Sequence, residues 1–193
     1  LQGQNNYNAP RSICNAVVLY VFRTLVGSEI PLNEGCLKPL KIIAPNGSMI
    51  NPKYPAAVIA GNTEVSQNMC DCLFGALGVI AGSQATMNNF VWGNNKFQNY
   101  ETIAGGSGAG PGFNGMSGTQ VHMTNTLMTD PEVLESRFPV RLDVFSIRYG
   151  SGGKGKWQGG DGVHRVLRFL EKTTVTTLCS HRVIPPFGVN GGQ

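Results

Sequence analysis

From Gly82 to Gly118 the chain carries neither a sustained helical stripe nor a long alternation of apolar residues. It is rich in Asn, Gly and Ser, with strand character only around Asn99 to Ile103. A turn-rich stretch of that length separates whatever forms on either side of it. Helical periodicity lies before it and strand periodicity after it. The expected class is therefore α+β: early helices packed on a mixed or antiparallel sheet, a β-rich C-terminal part and Gly-rich loops. The chain begins at Leu1 inside another turn-rich stretch, GQNNYNAP, and reads as a single fragment, 1–193, of something longer. Within it, 1–138 is the helix- and loop-rich part with the candidate site, and 139–193 is the β-rich part.

Ser12 to Val26 predicts a helix, with Ser12 as N-cap, Ile13, Val17, Tyr20, Val21 and Leu25 on one face, and Gly27 closing it. Thr63 to Ala81 predicts a second, capped by Asn62 or Thr63 and ended by Gly82. Val65, Met69, Cys72, Leu73, Ala76, Leu77 and Ile80 form its apolar stripe. Short runs at Leu40 to Ala44 and Ala57 to Ala60 suggest brief strands. Asp130 caps a short helix with Pro131 at its first position and Glu132 near the positive end of the dipole. Strands follow where Val140, Leu142 and Val144 alternate, at Val163 to Leu170, and at the β-branched Thr173 to Leu178.

Charged residues are only 13% against 41% hydrophobic, and 26 of 193 residues are glycine, which suits a tightly turned globular piece rather than disorder. The net charge of +4 is spread without a basic, aromatic-interleaved run, so no nucleic-acid surface is expected. No run of about eighteen apolar residues suggests a membrane span. Five cysteines, an odd number without C-x-x-C, fit reduced thiols and a cytoplasmic protein.

Chemistry concentrates between Glu101 and Pro139. A glycine-dense loop including Gly106 and Gly108 leads into His122, Asn125 and Thr126, and then to Asp130. Glycines let backbone approach a ligand, and the polar residues supply hydrogen bonds. His122 and Glu101 are the candidate catalytic residues. Asn88, Asn89, Asn125, Thr126, Asp130, Gly106 and Gly108 are candidates for substrate binding, although paired asparagines equally well hold loops together through side-chain-to-backbone bonds. His164 and His181 lie in or beside strand-like runs and read as structural. Gly150 to Trp157 nearly matches a phosphate-binding loop. Trp157 stands where that motif needs a hydroxyl, and a strand follows instead of a helix, so a glycine-rich turn is the better reading. No complete metal-ligand spacing and no G-x-S-x-G occur.

Several ordered segments together resemble the hydantoinase B/5-oxoprolinase family over nearly the whole chain. They are Ile30 to Pro39, Asn51 to Val58, Ser83 to Asn89, Tyr100 to Gly106, His122 to Glu132, Gly150 to Gly162, and Pro185 to Gly188. The resemblance implies the C-terminal part of a hydantoinase B-type unit working with a hydantoinase A-type subunit or domain that carries ATP. The implied reaction is ATP-dependent hydrolysis of a cyclic amide, 5-oxoproline or an N-substituted hydantoin. The alternatives are a subunit of an ATP-dependent ketone carboxylase, or a non-catalytic scaffold. A divalent metal, Mg or Mn, is implied for the complete enzyme, with an incomplete ligand set here. In this reading His122 orients or deprotonates water, Glu101 is the alternative base, and Asn88, Asn89 and Asn125 anchor the substrate.

Overall fold

The computed structural model describes residues 6–193. Helix α1 spans Arg11–Val26, starting one residue before Ser12, and Gly27 ends it in the left-handed conformation (φ 64°). Cys14, Val17, Val18 and Val21 form its buried face. Val17 and Val21 pack against Cys70 and Phe74 of helix α2, Ser66–Ala76.

The second helix departs from the expected one at both ends and in its phase. A π-turn over Gly61–Val65 precedes α2, so neither Asn62 nor Thr63 is its cap. The helix stops at Ala76, because Gly78 adopts φ 67°. There Gly78 N–H donates to Gly75 O at 3.0 Å and Val79 N–H to Phe74 O at 3.1 Å, the paired bonds of a Schellman end. The stripe read from the sequence is not the deepest face. Cys72 is exposed and Leu77 is 47% exposed, whereas Ser66, Gln67, Cys70, Asp71 and Phe74 are buried. Polar residues go inside because the loop at 121–124 needs partners. Gln67 Nε2 donates to Val121 O at 3.2 Å and to Thr124 Oγ1, and its Oε1 accepts from Met123 N–H at 3.1 Å.

Strands β1 (Asn89–Gly93) and β2 (Gln98–Thr102) form a hairpin with Phe90 opposite Glu101. Helix α3 (Pro131–Arg137) begins after Asp130, whose backbone carbonyl accepts from Leu134 N–H at 2.9 Å; its side chain makes no cap bond. Strands β3 (Val140–Ile147) and β4 (Val163–Phe169) pair antiparallel, with a bulge between Leu142 and Val144. Strand β5 (Thr174–Leu178) pairs antiparallel with β1, giving a three-stranded sheet in the order β2-β1-β5. A strand from the β-rich end thus completes a sheet begun in the helix- and loop-rich part. The runs at 40–44 and 57–60 are not strands; an isolated bridge between Ser48 and Asn51 forms between them.

The two sheets meet over Trp92, which is 1% exposed. Phe97, Phe138 and Phe169 present edges to its ring at centroid distances of 6.1, 5.2 and 5.4 Å, and Leu134 and Val140 complete the cluster. Beside it, Arg165 of β4 reaches Glu101 of β2 with two bonds, 2.8 and 3.3 Å. The two side chains are only 3% and 2% exposed. Among the described residues no helix is long and apolar enough to cross a membrane.

Candidate functional site

Four segments enclose a cavity of about 1190 Å³: 81–90 leading from α2 into β1, 103–111 after β2, 148–163 joining β3 to β4, and 177–193 after β5. Main-chain bonds tie these segments to one another. Ala81 N–H donates to Ala109 O at 2.8 Å, Gly160 N–H to Ser107 O at 2.9 Å, and Gly82 N–H to Phe187 O at 2.9 Å. The glycines here make room for backbone. A Cβ on Gly106 would lie 1.9 Å from Gly160 O, and one on Gly108 1.9 Å from Ala81 O. Both positions sit in the cavity wall, yet the close approach that requires glycine is made by neighbouring main chain rather than by open cavity space.

Asn88 and Asn89 also line the cavity. Asn88 takes a left-handed φ of 46°, and its Nδ2 donates to Ile103 O at 3.3 Å. Asn89 Nδ2 donates to Leu178 O at 3.5 Å, and its Oδ1 accepts from the Tyr100 hydroxyl. Burial, followed by the nearby Glu64 charge, raises the Tyr100 pKa. These amides hold the wall together while facing the space it encloses.

The other candidates lie outside the lining. The His122 side chain is 7% exposed, with φ 52° and its ring tilted against Phe74 at 5.4 Å. His122 Nε2 meets Asp71 Oδ1 at 2.9 Å, and Nδ1 meets the Tyr20 hydroxyl at 3.3 Å. Asp71 in turn accepts from Ser83 N–H and, at 3.0 Å, from Ser83 Oγ, and Ser83 lies in the cavity wall. His122 therefore touches the cavity only through Asp71 and Ser83. Glu101 is held through both oxygens by Arg165. Thr126 pairs with the Thr102 hydroxyl, Asn125 is exposed on the following loop, and Asp130 starts α3.

Sequence reasoning missed two groups at the wall. His181 lines the cavity with φ 54°, and its Nδ1 lies 2.8 Å from Ile184 O. A carbonyl only accepts, so Nδ1 carries the hydrogen and neutral His181 keeps a lone pair on Nε2. Glu64, on the π-turn, is buried behind the wall. It accepts from Thr86 Oγ1 at 2.6 Å and from Ser180 Oγ at 2.5 Å. The available signals were the chemistry-dense run Cys179-Ser180-His181-Arg182 at the end of β5, and a π-turn, which often marks function but leaves little trace in sequence.

The loop at 150–157 joins two antiparallel strands with no helix after it, so it lacks the geometry of a nucleotide cradle. Among the described residues no three His, Cys, Asp or Glu side chains converge as a metal-binding group.

The family model described as Hydantoinase B/oxoprolinase matches residues 1–193, and the chain belongs to that family. It is 50% identical over 188 residues to a 5-oxoprolinase of Dictyostelium discoideum, and 49% identical over 188 residues to one of Arabidopsis thaliana. Each match covers 97% of this chain and 15% of the relative. The chain thus spans about 15% of the length of these relatives. Its fold matches a nucleotide-free structure of an acetone carboxylase with a TM-score of 0.75 at 22% identity, over 92% of this chain and 26% of that one.

Proposed function

We propose that this chain forms part of an ATP-dependent cyclic-amide hydrolase that opens 5-oxoproline or, as the wider class, N-substituted hydantoins. Its identity to 5-oxoprolinases over 97% of its length carries the reading. ATP is held by a hydantoinase A-type subunit or domain, and a divalent metal, Mg or Mn, by residues of the complete enzyme. ATP supplies the driving force that an unstrained lactam lacks. The free thiols of all five cysteines suit a cytoplasmic enzyme.

Opening the ring requires water to add to the carbonyl carbon, the C–N bond to break, and the ring nitrogen to gain a proton. Of the candidates, His181 is the base whose free nitrogen belongs to a cavity-lining side chain. Asn88 and Asn89 offer amide groups, and Phe187 and Trp157 give the ring's methylenes an apolar surface. His122 and Glu101 serve as positioning residues: His122 fixes the 83–89 segment through Asp71, and Glu101 fixes β2 against β4. A scaffold role is the second reading, favoured by the saturation of these two side chains.

The deciding experiment measures ADP release by the complete assembly with 5-oxoproline, substituted hydantoins, and ketones plus bicarbonate. ADP release driven by 5-oxoproline, with glutamate formed, is expected; turnover with ketones alone overturns the reading. In the same assembly His181→Asn should lower kcat by about 10²–10⁴ with the thermal midpoint preserved. Unchanged turnover would leave the cavity as scaffold.

A further inference from the structure

The cavity's side chains are lopsided in charge. Arg148, Lys154, Lys156 and Arg182 line it, and no Asp or Glu does, although the chain as a whole carries 11 acids to 15 cations. None of the four forms an ion pair among the described residues, whose pairs all lie elsewhere. Arg182 Nε donates to Cys179 Sγ at 3.1 Å, and Lys156 Nζ stands 4.7 Å from the centroid of the Trp157 ring. Among the described residues the guanidinium of Arg148 and the amine of Lys154 have no side-chain partner.

Two carboxylates outside the lining, Asp161 and Glu64, are already engaged. Asp161, in the same β3–β4 loop, accepts from Gly152 N–H at 2.7 Å. Glu64 lies behind the wall with both oxygens taken by hydroxyls. One further donor is unmet: Gln84 lines the cavity, and its Nε2 is buried without an acceptor. Unpaired cations on two of the wall segments and no acid among the lining side chains describe one kind of guest.

We infer that this cavity is an oxyanion-binding subsite, read by Arg148 of the β3–β4 loop and Arg182 of the segment after β5, with Lys154 and Lys156 on the same loop as Arg148. Resting on the cyclic-amide reading above, the oxyanion is the carboxylate of the substrate or a phosphate group brought to the ring. Arginine is suited to either because its planar fork can bond two oxygens at once. The enzyme accordingly prefers an acidic cyclic amide over a neutral one of the same shape.

The test uses the complete enzyme and two Arg variants, Arg148→Gln and Arg182→Gln, with Arg141→Gln on β3 as a control away from the cavity. Arg148 and Arg182 are exposed, so both variants should fold, and thermal midpoints verify it. Calorimetry compares 5-oxoproline, its carboxamide, and inorganic phosphate. The wild type should bind 5-oxoproline about ten- to a hundredfold more tightly than the carboxamide, and each Arg variant should erase most of that difference. If the variants instead weaken phosphate and spare 5-oxoproline, the same cations hold a phosphate group. Equal affinities for acid and carboxamide, with phosphate binding unchanged in every variant, overturn the inference. Turnover is scored separately: an enzyme that opens no cyclic amide defeats the functional reading, whatever the binding arm shows.

Discussion

The molecule has two buried knots of opposite character. Around Trp92 the packing is aromatic and dry, with three phenylalanine edges on one indole. Around Asp71 it is polar: one carboxylate takes bonds from His122 and Ser83, with Tyr20 on the far side of the imidazole. The first joins strands from both sheets and resists displacement through area removed from water. The second joins two helices and two loops, and it resists displacement because breaking it would leave buried polar groups short of partners. Apolar packing mainly sets how stable this fold is. The polar knot mainly sets where the 83–89 segment of the cavity wall stands.

That contrast is easiest to break at its extremes. Trp92→Ala should cost about 3–5 kcal/mol, read as a lowered midpoint in chemical unfolding. Whatever enzyme remains folded should keep its kinetic constants. Asp71→Ala strips the partner from three donors at once and should cost about 2–3 kcal/mol. Unlike the Trp92 change, it should also depress turnover in the molecules that remain folded, because Ser83 is released. If both variants lose stability and activity in the same proportion, the two knots do not have separate jobs.

Alkaline pH provides a gentler probe. Burial pushes the Cys70 thiol up to about 12 from 9.0, and it raises Tyr20 as well; both belong to the α1–α2 side, next to Asp71. A raised folded-state pKa means that the native chain keeps a proton which the unfolded chain has already lost. Stability contributed by these groups is therefore fully present below about 9 and falls as pH climbs towards 12. Thiol labelling at increasing pH should modify exposed Cys72 first and Cys70 last. Cys70 should react only as this side opens, while the near-ultraviolet signal of Trp92 persists. Loss of the Trp92 signal before Cys70 reacts would reverse the proposed order.

The same contrast explains what could be read in the sequence. α1 is legible from its apolar spacing, α3 from the Asp130-Pro131-Glu132 start, and the late strands from alternation or β-branching, although Val144 and Val175 stay exposed. Strand β1 escaped notice because Asn89-Phe-Val-Trp-Gly93 is short and sits in a loop-like context; its pairing with β2 and β5 is what makes it a strand. For α2 the apolar stripe was visible, but the interior claimed Gln67 and Asp71. A buried polar face is dictated by distant partners at 121–124 and 83, which no local pattern reveals. The site divides likewise. Asn88, Asn89, Gly106 and Gly108 lie in the cavity wall. Read as structural in the sequence, His181 enters that wall only because the chain after β5 folds back beside the 81–90 segment.

The glycine-packed wall has a consequence for how the site can change. Where Gly106 abuts Gly160 O and Gly108 abuts Ala81 O, the surface is peptide rather than side chain. Such a surface presents one fixed array of N–H and C=O dipoles, and substitution there disturbs the frame before it alters recognition. On the proposed reading, variation in substrate choice falls to the positions that do project side chains, Asn88, Arg148, Lys154, Arg182 and Phe187 among them. A search for altered substrate range has a small alphabet to work with, shared between the two loops that follow β3 and β5 and the 84–90 segment.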